Sequence, residues 1–209
     1  MTRKLLEWNK KLIKQGVRSN RRTPLHFAAS WGYFAASRGP KTSRTAKLLL
    51  DADESSAYQP DDEGSFPIHV AAFEGNSRVI EALLRKCPDC TQLRDTQGRT
   101  LVHAAAIKGH WYSVWWIVSV FLRRRKDACQ VQKFASIMNM RDNEGNTALH
   151  LAVKAGTPWT MYPLIWYKEV QLNIQNNEGQ TALDVAKSMR PRGVFYGLVR
   201  NLFIFIYIY

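Results

Sequence analysis

A four-residue pattern returns five times along the chain and sets the period of the whole sequence. The copies are TPLH at 23–26, FPIH at 66–69, TLVH at 100–103, TALH at 147–150 and TALD at 181–184. Their last residues are separated by 43, 34, 47 and 34 positions. A spacing close to 34 residues, lengthened twice by insertions, is typical of a helical repeat array. Because such an array buries its core between neighbouring units and exposes a long surface, the pattern favours a binding protein over an enzyme.

Turn and helix signals flank the copies at fixed distances. Four copies are preceded by Asp or Asn three residues before a glycine: Asp61 and Gly64, Asp95 and Gly98, Asp142 and Gly145, Asn176 and Gly179. This pairing marks a tight turn, because glycine accepts a positive φ without steric cost. A second glycine, six residues after a copy, predicts the end of a short first helix at Gly32, Gly75, Gly109 and Gly156. The sequence therefore predicts an all-α solenoid of about five helix-turn-helix repeats, two with insertions.

This pattern resembles the ankyrin repeat over most of the chain, from Thr23 to Met189. The resemblance implies a basic N-terminal cap segment at 1–22, ankyrin repeats over 23–190 and a hydrophobic C-terminal tail at 191–209. The repeats are expected at about 23–60, 61–94, 95–141, 142–175 and 176–190. The terminal repeats depart from the pattern: Arg18 and Arg21 replace Asp and Gly in repeat one, and Asp184 replaces His in repeat five. Atypical terminal units are expected where one side faces water.

Further segments resemble the plant ankyrin proteins of the accelerated-cell-death type. They are LLEWN at 5–9, CPDC at 87–90, FASIMN at 134–139 and NEGQT at 177–181. The resemblance implies a role in plant defence and cell-death signalling at the cytosolic face of the plasma membrane, with a C-terminal membrane domain of several spanning helices. The strongly apolar stretches 114–122 and 202–209 are far shorter than the roughly 20 residues that a bilayer requires. We therefore expect a truncated or mispredicted product of a longer membrane protein.

The charge of the chain bears on its partners. Its formal net charge is +13, and eight of the first 22 residues are Lys or Arg. Further basic clusters are the run 123–126 and the group Arg190, Arg192 and Arg200. Such clusters favour an anionic membrane surface or an acidic partner, although charge runs are also common on solvated loops. Nucleic acid is not expected as a partner. A soluble nuclear or cytosolic adaptor, with 123–126 as a nuclear import signal, is the alternative.

Two groups of residues have the composition of a metal or redox site. His26, His69, His103 and His150 share one repeat position, which places neighbours ~10 Å apart, the distance between packed helices. Zinc needs ligands at about 2 Å from one centre, so these histidines are expected to be buried hydrogen-bonding residues between repeats. The CPDC segment lacks both a second ligand pair and a thioredoxin-like context. We expect a helix end at Pro88, and no catalytic, cofactor or metal residues.

A protein partner is expected at two rows of positions, the turn tips and the exposed edge of the first helices. The tip residues are Asp62, Glu63, Thr96, Gln97, Asn143 and Glu144. The edge residues are Trp31, Phe73, Glu74, Ile107, Lys108 and Lys154. Since a few aromatic side chains dominate many interfaces, Trp31 and Phe73 are the expected anchors.

Two second helices carry local features with structural consequences. In repeat four, Pro163 falls inside the helix, where proline removes a hydrogen bond, so we expect a kinked or shortened helix and weak stacking. In repeat three, aromatic side chains are concentrated and are expected to pack in the core: Trp111, Tyr112, Trp115 and Trp116. The insertions, about 36–43 and 123–132, are expected as loops on one face.

Overall fold

The computed structural model describes residues 13–17, 19–31, 41–123 and 128–189. These residues form ten α-helices and no strand, apart from an isolated antiparallel bridge between Gln175 and Thr181. The chain divides into two compact units, Met1–Leu101 and Val102–Tyr209. Most of the predicted cap segment, most of the first insertion, the basic residues 124–126 and the hydrophobic tail lie outside the described residues.

The first unit contains two helical pairs, each made of a short and a longer helix. Its helices are α1 (Pro24–Ser30), α2 (Lys41–Ala52), α3 (Pro67–Phe73) and α4 (Ser77–Lys86). Single 3-10 helices follow the two longer ones, at Glu54–Tyr58 and Pro88–Gln92. Short helix α1 packs beside α3, and long helix α2 packs beside α4. The core lies between these two layers, where Ala29, Ala71 and Leu83 are fully buried.

The second unit repeats the arrangement and adds a helix. The helix α5 (Leu101–Ile107) begins at the unit boundary and is followed by α6 (Trp111–Arg123), α7 (Ala128–Asn139), α8 (Ala148–Lys154), α9 (Pro158–Trp166) and α10 (Ala182–Ser188). Short helix α8 packs against α9 and α10, and α9 also packs against α6. The helix α7 was not expected, since the second insertion was predicted as a loop. From Ala128 onward that insertion is helical.

Each short helix starts where the repeated pattern places a cap. Thr23, Thr147 and Thr181 are extended N-cap residues, and Pro24 and Pro67 occupy the first position of their helices. Proline suits that position because its fixed φ is helical and the first N–H has no intrahelical partner. The pattern TPLH therefore encodes a helix start.

The helix α9 runs through Pro163 without a break and ends at Trp166. It is shorter than α6, with nine residues against thirteen, as the proline suggests. The expected shortening is thus observed, whereas the expected weak stacking is wrong, since α9 packs against both α6 and α8. The missing N–H would have reached the carbonyl of Trp159, in the first turn, so one hydrogen bond is lost and the buried face is kept.

Seven glycines of the described residues adopt a positive φ at the predicted turns. They are Gly64, Gly75, Gly98, Gly109, Gly145, Gly156 and Gly179. In repeat one, Arg21 takes the glycine's place with a φ of 53°, and no other non-glycine residue of the described segments has a positive φ. The turn geometry is therefore kept in the terminal repeat although its glycine is absent.

Gly145 and Gly179 form a matched pair for testing the packing of the turns. Their φ values are 80° and 74°. A Cβ at 145 would lie 2.6 Å from the backbone nitrogen of Asn177 and against the Arg141 guanidinium, whereas nothing lies within 4 Å of a Cβ at 179. We expect Gly145→Ala to lower the free energy of unfolding by about 3 kcal/mol and Gly179→Ala by about 1 kcal/mol. Urea unfolding followed by circular dichroism measures both; equal losses would contradict this packing.

Candidate protein-binding surface

The four histidines of the repeated pattern connect successive turns. Their Nε2 atoms lie 2.9 to 3.2 Å from a main-chain carbonyl oxygen further along the chain. The pairs are His26 with Ser65, His69 with Leu93, His103 with Asn146 and His150 with Gln180. Since a carbonyl oxygen only accepts hydrogen bonds, each Nε2 carries the proton and donates it. The predicted structural role of these histidines is confirmed.

In three of these histidines, burial and the contact of the second ring nitrogen favour the neutral ring. The Nδ1 atoms of His26, His69 and His150 accept from the N-cap N–H of their own helix at 3.1 to 3.2 Å. Burial lowers the pKa of His26 and His150, and it lowers the pKa of His69 to about 4. If Nδ1 were protonated, it could no longer accept from the N–H of the N-cap residue, and the cap hydrogen bond would be lost. These side chains therefore stay uncharged at physiological pH.

The turn tips are closed by one carboxylate or amide oxygen each. In four turns, an Oδ1 atom accepts from the backbone N–H groups two and four residues later, at 2.8 to 3.0 Å. The residues are Asp61, Asp95, Asp142 and Asn176. Arg22 and Arg99 donate through Nε to the second oxygen of Asp61 and Asp95, at 3.1 and 2.7 Å. Buried Asp61 and Asp95 are thus paired, as buried charges require.

Neighbouring tips also bond to one another within each unit. In the first unit, the Thr96 hydroxyl donates to the carbonyl oxygen of Glu63 at 2.6 Å. In the second unit, Asn177 donates through its side chain to the carbonyl oxygen of Asn143 at 2.9 Å. The Thr96 hydroxyl therefore connects two neighbouring tips.

The predicted partner-binding residues lie on the surface where the sequence places them. The exposed ones are Trp31, Asp62, Glu63, Thr96, Gln97, Lys108, Asn143, Glu144 and Lys154, while Phe73, Glu74 and Ile107 are partly buried. The edge residues all stand at or just after the C-terminal ends of short helices α1, α3, α5 and α8. Binding of a partner by these residues stays a prediction.

Trp31 borders an apolar groove in the first unit. The groove has a volume of ≈ 520 Å³ and is lined by Val17, Pro24, Phe27 and Trp31. Trp31 is 70% exposed and Phe27 is 44% exposed. Arg22 lies at the same groove. Exposed aromatic side chains and apolar grooves are common features of binding surfaces.

A second exposed surface, here called the aromatic face, was not predicted. It consists of Trp111, Tyr112 and Trp115 on α6 with Trp159, Tyr162 and Trp166 on α9, and these rings are 45% to 72% exposed. The expectation that Trp111, Tyr112 and Trp115 pack in the core is wrong, because Ser113, Val114, Ile117 and Val118 form the buried face of α6. The spacing 159, 162 and 166 is the sequence signal that reveals one helix face.

The CPDC segment forms a helix end. The helix α4 ends at Lys86, and Pro88 begins the 3-10 helix that follows. Cys87 and Cys90 are buried free thiols. Burial raises the pKa of Cys87, and it raises the pKa of Cys90 to about 12. The thiolate is the form that binds zinc and attacks disulfides, so burial disfavours both reactions at these cysteines.

The described residues hold no group of three or more His, Cys, Asp or Glu side chains that could bind a metal ion. Within the same residues, no helix has the length and apolar character needed to cross a membrane.

Comparison with known families decides what the repeats are. Residues 33–122 match the family model described as ankyrin repeats, in three copies. The chain carries ankyrin repeats. With ten helices in the described residues, the predicted all-α ankyrin solenoid is the fold class of this chain. Ankyrin repeats are protein-interaction modules, so protein partners in general follow from the repeats.

Several proteins are similar to this ankyrin chain, each over a small part of its own length. Alpha-latrotoxin-Lg1a of Latrodectus geometricus is 30% identical over 156 residues, which are 70% of this chain and 10% of the toxin. The human transient receptor potential cation channel subfamily A member 1 is 32% identical over 92 residues, 44% of this chain and 7% of the channel. Mouse Rabankyrin-5 is 30% identical over 132 residues, 63% of this chain and 9% of Rabankyrin-5.

Proposed function

We propose that the chain is a protein-interaction module of plant defence or cell-death signalling that works at the cytosolic face of a membrane. The resemblance of four segments to plant ankyrin proteins of the accelerated-cell-death type supports this assignment. Among the similar proteins, a cation channel is a membrane protein by its name. The positive net charge of +13 supports a location beside an anionic membrane surface.

The observation that carries the proposal is the apolar groove at Trp31. Exposed Trp31 and Phe27 flank a groove large enough for a hydrophobic side chain of a partner. Arg22 lies at the same groove, and the same unit presents Asp62 and Glu63 at an exposed turn tip, so polar and charged side chains accompany the apolar anchor. Such a combination of a buried anchor and a polar rim is the usual anatomy of a protein interface.

The proposal does not include an enzymatic activity. Among the described residues that line the groove there is no Asp, Glu, His or Cys, the usual acids, bases and nucleophiles of a hydrolytic or transfer reaction. In His26 and His150, both ring nitrogens form hydrogen bonds to the main chain, so neither nitrogen is available as a catalytic acid or base.

Trp31→Ala tests the proposed function. Removing an interface anchor costs about 2 kcal/mol or more of binding free energy, so the variant is expected to lose the effect of the chain in cells. The readout is ion leakage from leaves that express the chain during pathogen-triggered cell death. Wild type is expected to change this leakage, and Trp31→Ala to abolish the change.

Arg85→Ala is the matched control for Trp31→Ala. Arg85 is exposed on α4, and its ion pair with Glu81 is a surface pair that contributes little to stability. This variant is expected to behave as wild type. A wild-type chain that leaves leakage unchanged would refute the signalling role, and a Trp31→Ala variant as active as wild type would refute the groove as the binding site.

A further inference from the structure

The exposed large apolar side chains of the described residues are concentrated on two helices. Beyond the six rings of the aromatic face, Leu122 on α6 is 43% exposed. Within the face, Tyr112 stacks on Trp115 with ring centroids 6.2 Å apart, and Tyr162 stacks on Trp166 at 5.4 Å. Because α6 and α9 pack against each other, the two sets of rings belong to one helical layer. Exposed apolar surface of this extent marks an interaction site.

The electrostatic character of this layer is one-sided. Neither α6 nor α9 contains an Asp or a Glu, and the first acidic residue after α9 is the partly buried Glu169. Exposed basic residues flank the helices: Lys108 precedes α6, Arg123 ends it, and Lys168 follows α9. A partner that is complementary to this face therefore has an apolar region that contacts the rings and negatively charged groups that pair with the Lys and Arg side chains.

An anionic bilayer surface has this combination of properties. Trp and Tyr side chains concentrate at the boundary between acyl chains and head groups, because their rings are apolar and their N–H and O–H groups are polar. Lys and Arg at the edge of such a surface pair with anionic head groups. A second copy of the chain fits less well, since it would bring Lys108, Arg123 and Lys168 of both copies to one interface.

We propose that the aromatic face docks on an anionic lipid surface, with the indole rings at the head-group boundary and the flanking Lys and Arg on phospholipid head groups. This inference rests on the proposed function at a membrane face and adds the surface that would contact the lipid. The contact needs no spanning helix, because rings on a folded layer enter only the interface.

Vesicle co-sedimentation of the purified full chain tests the docking. Wild type is expected to bind vesicles of phosphatidylserine and phosphatidylcholine and to bind vesicles of phosphatidylcholine alone weakly. The double variant Trp159→Ala, Trp166→Ala is expected to lose at least about tenfold in vesicle affinity, since each indole removed takes apolar area out of the contact. Quenching of tryptophan fluorescence by brominated lipids is expected for wild type and reduced for the double variant.

Trp31→Ala is the matched control. Trp31 is 70% exposed, close to the 72% of Trp159, but it lies outside the aromatic face. It is expected to leave vesicle binding unchanged. If the double variant fails to fold, Trp115→Ala on α6 takes its place and must lower vesicle binding relative to Trp31→Ala.

Three results would overturn the docking. They are a wild-type chain that does not bind the anionic vesicles, variants that bind as wild type does, and a wild-type dimer that the double variant converts to a monomer. None of them decides the proposed function, which is scored by Trp31→Ala in leaves. Likewise, a Trp31→Ala variant that behaves as wild type in leaves would not change the interpretation of the vesicle experiment.

Discussion

Replacing His150 with alanine is expected to lower the free energy of unfolding by about 4 kcal/mol. The ring is 1% exposed, its Nε2 donates to the carbonyl oxygen of Gln180 at 3.0 Å, and its Nδ1 accepts from the N–H of Thr147 at 3.2 Å. Alanine leaves both main-chain groups without this partner and leaves a cavity between α8 and the following turn. Urea unfolding followed by circular dichroism gives the loss.

Two further variants separate the contributions of His150. His150→Asn keeps an acceptor for the Thr147 N–H but is too short to reach Gln180, so we expect about half of the loss. Repeat five supports this reasoning, since Asp184 at the same position accepts from the N–H and hydroxyl of Thr181. Lys154→Ala, at the exposed end of the same helix, is expected within about 0.5 kcal/mol of wild type. A His150→Ala protein as stable as Lys154→Ala would contradict the link between turns.

Acidification is expected to destabilise the fold between pH 6.5 and about 4. Burial lowers the pKa of His69 from 6.5 to about 4, so over this range the unfolded chain binds a proton that the folded chain excludes. The contribution of His69 to the free energy of unfolding is therefore fully present above pH 6.5. It decreases as the pH falls and is lost by about pH 4. His69 alone accounts for about 3 kcal/mol, and the lowered pKa values of His26 and His150 act in the same direction.

Denaturant unfolding at a series of pH values measures this loss. The lowered pKa values of Asp53 and Asp184 start from 3.8, so their contribution is lost at lower pH and does not overlap with that of the histidines. His69→Asn cannot titrate and is expected to flatten the profile between pH 6.5 and 4. Stability that is constant across that window, or that rises as pH falls, would show that the histidines are charged in the fold.

The repeated pattern allowed the helical layers, the turns and the histidine links to be predicted, because each is encoded by a few residues at fixed spacing. A histidine that accepts a hydrogen bond from the N-cap of its own helix and donates one to the next turn can stand at only one position of the repeat. The same reasoning identified Arg21 as the residue at a glycine position, and the structure shows its positive φ. Local chemistry was sufficient for these features.

The aromatic face could not be predicted from the content of apolar residues. In α6, apolar residues occupy nearly every position, so the pattern alone does not tell the buried face from the exposed one. Packing against α9 decides that Val114 and Ile117 are buried and that Trp111 and Trp115 are exposed. The weak stacking expected around Pro163 is wrong for a related reason, since burial of Met161, Leu164 and Ile165 outweighs one lost hydrogen bond.

Cell fractionation tests whether the chain is a protein-interaction module at the cytosolic face of a membrane. The tagged chain would be expressed in plant cells and separated into soluble, nuclear and membrane fractions, and the sealed membrane vesicles would then be treated with protease. We expect the chain to sediment with membranes and to be cleaved only in vesicles whose cytosolic side faces outward. Recovery in the soluble or nuclear fraction would contradict the claim and support a soluble adaptor.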